Sequence, residues 1–164
     1  MTTKSTLSNL EIIHDDLLRA VDNYSFQYIC HQTNCLSTYA KGVAAAIFAK
    51  YPQANVYTER TDKLNHRDQY ARISVHDPVI NLYGQIAPGK PNPDPRNTDN
   101  TRHRLGAFKY ALMLVGKIEG ITSVALPFGI GCGLAGGNWA EYERGIERFA
   151  ANYPALRVGL FQKG

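Results

Sequence analysis

The apolar positions of this chain follow two periods, and segments of the two kinds alternate along it. Apolar residues at alternating or consecutive positions over about four to eight residues are typical of strands, whereas recurrence every three to four residues is typical of helices. An alternation of strands and helices favours a layered α/β domain. We predict strands at Leu10–His14, Tyr24–His31, Ala71–Val75, Val79–Tyr83, Ile121–Pro127 and Arg157–Phe161, and helices at Gly42–Tyr51, Arg102–Glu119 and Trp139–Tyr153.

A long loop, residues 84–101, separates a predicted strand from the second helix and carries four prolines. Loops of more than about 12 residues in a compact domain tend to be functional lids or disordered segments. We therefore predict a flap over a site. Its basic residues Lys90 and Arg96, with Arg102 just beyond, are interpreted as solvated charges, the alternative being contact with a macromolecular partner.

Length and charge narrow the class of protein. The 164 residues suit one domain, since domains commonly have about 100–200 residues. Hydrophobic residues make up 44% and charged residues 20% of the chain, which excludes the composition of disordered chains. Lys and Arg exceed Asp and Glu by 18 to 14. That balance suits an anionic small molecule or weak nucleic-acid contact and does not decide between them.

The cysteines and the apolar runs bear on the compartment. Cys30, Cys35 and Cys132 are odd in number and form no disulfide-framework pattern, which favours a reducing environment. The first ten residues lack the apolar core of a signal peptide. The longest apolar run, Val43–Ala49, is too short to span a bilayer. We expect a cytoplasmic protein without membrane contact.

Three segments rich in polar residues or glycine each follow a predicted strand. Ligands of open α/β sheets bind outside the carboxyl ends of strands, so we expect the three segments to share one crevice. The first contains Asp15 and Asp16, after the opening strand. A carboxylate held there can accept a hydrogen bond from an exocyclic amine. The alternative is that it caps the turn at Leu17 and Leu18.

The second segment, His31–Ala44, has the sequence HQTNCLSTYAKGVA and leads from a strand into the helix that begins at Gly42. A helix N-terminus offers unpaired N–H groups and a partial positive charge, which together attract anions. A glycine there allows a phosphate to approach the backbone closely. The alternative interpretation is structural: Asn34 stabilises the turn, and His31 is a hydrogen-bonded histidine of the core.

The third segment, residues 127–139, has the sequence PFGIGCGLAGGNW and contains five glycines. A glycine-rich loop between a strand and an Asn-capped helix is typical of a phosphate cradle. The loop matches neither the Walker P-loop motif nor a dinucleotide GxGxxG after the first strand, so those two classes are excluded. A purely structural turn is the alternative.

Taken together, these residues resemble the macro domain, or macrodomain, family, and within it the branch related to ADP-ribose 1″-phosphate phosphatases. The similarity covers about residues 10–161, and its most specific parts are GIGCGLAGGNW, the NC pair, the GVA helix start and the YP stop. The resemblance implies a three-layer α/β/α fold with a central mixed, mostly parallel sheet. It also implies that residues 1–164 form a single macro domain.

The resemblance implies roles for particular positions. Asn34 would hold the hydroxyls of the distal ribose, and His31 matches a histidine proposed to assist catalysis in yeast-type phosphatases. The implied ligand-binding positions are Asp16 and Leu17 at the adenine amine, Gly42 and Val43 in a first phosphate loop, and Gly131, Cys132, Gly133 and Leu134 in a second.

Several positions depart from related patterns. The terminal ADP-ribose glycohydrolase branch uses a lysine and an aspartate, where this chain has Gln85 and Ala135. An amide forms no covalent adduct with a ribose aldehyde, and alanine is neither acid nor base, so that chemistry is disfavoured. Asp15 and Ala40 stand where the family usually has glycine, and Ala40 lacks the free access of glycine to positive φ.

The sequence thus predicts a hydrolase: a phosphatase that converts ADP-ribose 1″-phosphate to ADP-ribose and phosphate. In this scheme Asn34 orients the distal ribose and a water near His31 attacks the phosphorus. Two alternatives stay open: a non-catalytic ADP-ribose reader or sequestering module, and a hydrolase that removes ADP-ribose from protein or nucleic acid. We expect ADP-ribose or a derivative as the partner, no cofactor, no metal and a monomer. Cys132 has no identifiable neighbouring base and is not expected to be a nucleophile.

Overall fold

The computed structural model of the chain describes residues 2–4, 7–60 and 66–164. Within these residues seven strands form one sheet in the order β1-β2-β7-β6-β3-β5-β4. The five inner strands run parallel, and the two edge strands are antiparallel to their neighbours. The strands are β1 (Thr2–Lys4), β2 (Leu10–Ile13), β3 (Tyr28–Asn34), β4 (Ile73–His76), β5 (Val79–Gln85), β6 (Ser123–Pro127) and β7 (Arg157–Phe161).

Helices cover both faces of this sheet. They are α1 (Ala20–Tyr24), α2 (Gly42–Lys50), α3 (Thr101–Gly116) and α4 (Trp139–Asn152). One apolar cluster joins Phe108 of α3 and Ile146 of α4 to the sheet, and a second cluster does the same for Phe48 of α2. Along β5, Leu82 belongs to the first cluster and Tyr83 to the second, because successive strand residues point to opposite faces. The expected three-layer α/β/α arrangement with a mixed, mostly parallel sheet is confirmed.

The predicted strand Tyr24–His31 was misplaced. Tyr24 ends helix α1, and Ser25 turns the chain with a positive φ of 61° before β3 begins at Tyr28. The strand then continues to Asn34, past the end expected from the alternating pattern. The polar residues Thr33 and Asn34 at its end are buried. Tertiary contacts decide such burial, so the alternating pattern of the sequence could not predict this end of the strand.

Other boundaries differ by a few residues. Helix α3 ends at Gly116, before the expected Glu119, and the N–H of Lys117 bonds back to Met113 and Leu114. The short edge strand β1 was not predicted, since its sequence, Thr-Thr-Lys, carries no apolar alternation. No helix in the described ranges is both long enough and apolar enough to cross a bilayer.

Candidate functional site

A cavity of about 1200 Å³ lies at the carboxyl ends of the central strands. Its walls are the segments that follow β3, β5 and β6, so the second and third polar segments of the sequence do share one crevice. Of the predicted site residues, those lining it are His31, Asn34, Gly42, Val43, Gly131, Cys132, Gly133 and Leu134. The proline-rich loop contributes Pro88, Gly89 and Lys90. Asp16 and Leu17 are not among the lining residues.

The charged residues of the lining are all basic. Lys41 and Lys90 line the cavity, and its described lining includes neither Asp nor Glu. The ammonium group of Lys41 lies 5.5 Å from the centre of the ring of Tyr39, which also lines the cavity. A cleft lined by charges of one sign concentrates ligands of the opposite sign. The cavity is therefore suited to an anion.

The N-terminus of α2 forms part of this wall. Gly42 begins the helix with a φ of 57°, which a side chain would strain. The preceding residue, Lys41, makes no side-chain hydrogen bond to the helix. The N–H groups of the first helical turn have no intrahelical acceptor. They remain available to a ligand, and half-exposed Val43 stands at the opening.

The glycine-rich loop after β6 forms the facing wall, and its glycine positions differ in whether backbone conformation or close packing requires a glycine. Gly131 has a φ of 76°, and a Cβ there would lie 2.5 Å from the ring of Tyr142. The N–H of Gly137 donates to the carbonyl of Gly131 at 3.0 Å, which closes the loop. At Gly133 a Cβ would meet nothing within 4 Å, and the backbone is in no special region. Packing therefore requires some of these glycines, but not Gly133.

Cys132 lies in the same loop, and its own thiol is inert. Its Sγ donates to the carbonyl of Ile130 at 3.3 Å. Burial raises the pKa of Cys132 to about 11, so the thiolate is scarce near neutral pH. Because the thiolate is the nucleophilic form, this geometry agrees with the expectation that Cys132 is not a nucleophile.

The side chain of Asn34 is engaged by its own turn. Its Oδ1 accepts from the N–H groups of Leu36 and Ser37 at 3.0 and 2.7 Å, and its Nδ2 donates to Oγ of Ser37 at 2.9 Å. The sequence did not single out Arg60, which donates to the carbonyls of Asn34 and Ser37. These contacts favour the structural interpretation of Asn34, as the residue that shapes the wall.

His31 is buried, with 1% of its surface exposed. Asn81 donates through Nδ2 to the carbonyl of Ala54, so its Oδ1 faces Nε2 of His31 at 2.6 Å and accepts a hydrogen bond from the Nε2–H group. The Nδ1 atom then carries a lone pair, and it has no partner within the described structure. Burial lowers the pKa of His31 to about 4, and the hydrogen bond to Asn81 offsets only part of that effect. The imidazole is neutral and packs edge-on against Phe48.

Two glutamines line the cavity, Gln85 at the end of β5 and Gln32 on the neighbouring strand β3. Nε2 of Gln85 donates to the carbonyl of Ala87 at 2.9 Å, which turns its Oε1 towards Gln32. Nε2 of Gln32 donates to that oxygen at 2.7 Å. Gln85 is thus held as a hydrogen-bonding amide at the position where the glycohydrolase pattern has a lysine. Oε1 of Gln32 is buried with no partner in the described residues.

Asp16 has the geometry of a cap for the turn at Leu17 and Leu18, which was the alternative interpretation of this residue. Its Oδ1 accepts from the N–H of Leu18 at 2.9 Å, at the start of a short 3-10 helix, Leu17–Arg19. Its Oδ2 lies 3.3 Å from Nζ of Lys163. The hydrogen bond from Leu18 is the main reason why the pKa of Asp16 is lowered. The carboxylate therefore stays ionised at neutral pH.

Arg104 is a site residue that sequence reasoning missed. It is fully enclosed and pairs with Asp99 through Nε at 2.8 Å and Nη2 at 2.9 Å. Burial by itself would raise the pKa of Asp99, but hydrogen bonds from Arg104 and from the N–H groups of Ile86 and Ala87 hold it below its usual value. A signal existed in the sequence: Arg104 stands four residues before Phe108, on the apolar face of its helix.

The described residues contain no group of three or more His, Cys, Asp or Glu placed to hold a metal ion. The polar side chains of the lining include two lysines, the amides of Gln32, Asn34 and Gln85, and one imidazole.

Comparison with known proteins adds to this picture. No family model matches the sequence, and no curated protein sequence matches it significantly. The macrodomain of Mycobacterium tuberculosis DarG superposes with a TM-score of 0.66 at 20% identity, over 92% of this chain and 96% of its own. A protein of unknown function from Bacteroides thetaiotaomicron gives 0.68 at 22% identity, over 96% and 99%.

A variant of the Oceanobacillus iheyensis macrodomain, solved with ADPR, gives a TM-score of 0.62 at 15% identity, over 99% of this chain and 90% of its own. The fold and the cavity thus define a three-layer α/β/α protein with a ligand cleft at the carboxyl ends of its parallel strands. The chain has, in particular, the macrodomain fold.

Proposed function

We propose that this chain binds ADP-ribose, or a derivative that carries its diphosphate, in the cavity between α2 and the glycine-rich loop. The observation that carries the proposal is the charge of the lining, which has Lys41 and Lys90 and no carboxylate in its described part. A buried carboxylate would repel a diphosphate, whereas two ammonium groups and a free helix N-terminus attract it.

The size of the cavity supports a ligand longer than a mononucleotide. Pockets for drug-sized ligands have volumes of about 300–1,000 Å³, and this one has about 1200 Å³. Anion-binding groups stand on two facing walls, so a diphosphate between them leaves room for a sugar on either side. The ADPR held by the O. iheyensis macrodomain supports the same class of ligand here.

Phosphatase activity towards ADP-ribose 1″-phosphate is our second candidate, and the observation that favours it is the lone pair on Nδ1 of His31. This neutral nitrogen belongs to a lining residue, is itself buried, and has no partner in the described part of the chain. A pKa of about 4 nevertheless makes it a weak base at neutral pH. Asn34, the other predicted catalytic residue, has its amide engaged in the turn. We therefore rank binding above turnover.

Calorimetry with ADP-ribose tests binding, with ribose 5-phosphate as a ligand that lacks the diphosphate and adenosine. We expect saturable one-to-one binding of ADP-ribose and much weaker binding of ribose 5-phosphate. Absence of ADP-ribose binding would refute the proposal.

A panel of three substrates tests turnover: ADP-ribose 1″-phosphate, ADP-ribosylated protein and ADP-ribosylated DNA. Phosphate release from the first, lost in His31→Asn, would establish the phosphatase. Release of ADP-ribose from either macromolecule would instead establish the hydrolase. Binding without release from any of them would establish a reader.

A further inference from the structure

The buried pair of Arg104 and Asp99 connects two neighbouring loops that both line the cavity. Nη1 of Arg104 donates to the carbonyl of Gly89 at 2.7 Å and to that of Ala135 at 3.2 Å. Gly89 lies in the proline-rich loop and Ala135 in the glycine-rich loop, and both line the cavity. One guanidinium group therefore bonds to both loops at once.

The other atoms of the pair hold the proline-rich loop along its length. Nη2 of Arg104 donates to the carbonyls of Ala87 and Lys90 at 3.1 and 3.3 Å. The carboxylate of Asp99 accepts from the N–H groups of Ile86 and Ala87 at 2.8 and 3.0 Å. The loop, which its length predicted to be a flap over the site, therefore has fixed polar attachments.

We propose that Arg104 is a positioning residue for the cavity: it fixes the distance between the proline-rich and glycine-rich loops, and Asp99 orients it. Lysine cannot replace it, because an ammonium group is a compact donor, whereas the planar guanidinium reaches several carbonyls in different directions. The proposal deepens the proposed function, since the site that it organises is the proposed ADP-ribose site.

The direct test is hydrogen exchange on the free protein, which does not depend on any ligand. In Arg104→Lys, peptides covering residues 86–92 and 131–137 should both exchange faster, while peptides from β6 and β7 keep their protection. Arg96→Lys is the matched control, because Arg96 lies in the same loop with its side chain 89% exposed. Unchanged exchange in either loop, or loosening of the proline-rich loop alone, would overturn the proposal.

The double variant Asp99→Asn with Arg104→Met serves where Arg104→Lys does not fold. Removing both members of a buried ion pair is far less destabilising than removing one, and the Asn oxygen can still accept from the N–H of Ile86. We expect the folded double variant to show the same two loosened loops. Wild-type exchange in both loops would refute the role of Arg104.

Affinity supplies the second measurement. We expect Arg104→Lys to bind ADP-ribose roughly tenfold more weakly, because loops that are no longer pre-organised must be ordered on binding. Ile146→Val, a core change of modest cost outside the cavity, should bind like the wild type and thus controls for global stability. Wild-type affinity in Arg104→Lys with both loops loosened would overturn the link to binding. Failure of the wild-type protein to bind ADP-ribose would refute the proposed function and leave the exchange result standing.

Discussion

Placing one carboxylate in the cavity tests whether the site binds a diphosphate through positive potential. Gly133 is the position for it, because an added Cβ there meets nothing within 4 Å and the backbone needs no glycine. We compare Gly133→Asp with Gly133→Asn, which has nearly the same shape and no charge. Gly131 is unsuitable, since a Cβ there would collide with Tyr142.

The expected magnitude follows from Coulomb's law. Two unit charges about 4 Å apart interact by about 1 kcal/mol in water and about 4 kcal/mol at an effective dielectric constant of 20. A cavity that is open to solvent lies between these limits, so Gly133→Asp should bind ADP-ribose from roughly fivefold to several hundredfold more weakly than Gly133→Asn. Calorimetry at low salt measures this difference, and unfolding curves check that both variants fold alike.

Salt provides an internal check on the same pair. Raising the ionic strength from about 0.1 to 1 M shortens the screening length from about 10 to about 3 Å, so the difference in ADP-ribose affinity between the two variants should become smaller. Equal affinities of Gly133→Asp and Gly133→Asn at low salt would refute the electrostatic reasoning. A difference in affinity between the two variants that does not change with salt would point to a steric cause.

Three further predictions concern single residues. Asp16→Ala should lower the unfolding free energy by about 1 kcal/mol through the lost cap. Asp16 lies outside the lining of the cavity, so only the adenine contact that the resemblance implies would make this variant bind ADP-ribose more weakly, by about 1–3 kcal/mol. Unchanged affinity would contradict that contact. His31, whose pKa of about 4 lies below the unfolded value, should stabilise the fold fully above about pH 6.5, and that stability should be lost as the pH falls towards 4. The unfolding free energy of His31→Asn should lack this dependence on pH, whereas that of His14→Gln, at an exposed position, should keep it. An unchanged pH dependence in His31→Asn would assign the effect to another group. Cys132→Ser should leave ADP-ribose affinity and any turnover unchanged, since its pKa of about 11 keeps the thiol protonated; a large loss of turnover would restore the nucleophile hypothesis.

The local pattern of the sequence was sufficient for much of the fold. The helices after residues 41 and 138 begin where glycine and Asn138 predicted, and the last strand has the predicted bounds. Caps, prolines and apolar spacing act over a few residues, so one sequence contains them. Placing the loops after β3 and β6 in one crevice was also possible, because parallel strands bring their carboxyl ends to one edge.

The roles of individual polar side chains depended on the tertiary structure. Asn34 and His31 were candidates by residue type, but the folded turn at Leu36 and Ser37 engages the Asn34 amide, and Asn81, 50 residues away, fixes the orientation of the His31 ring. The role of Arg104 could not be predicted from the local sequence either. Its importance comes from carbonyls 14 to 31 residues away that only the folded loops bring together. The local sequence placed most strands and helices to within a few residues, whereas burial and long-range hydrogen bonds decide which of the polar groups at their ends remain free for a ligand.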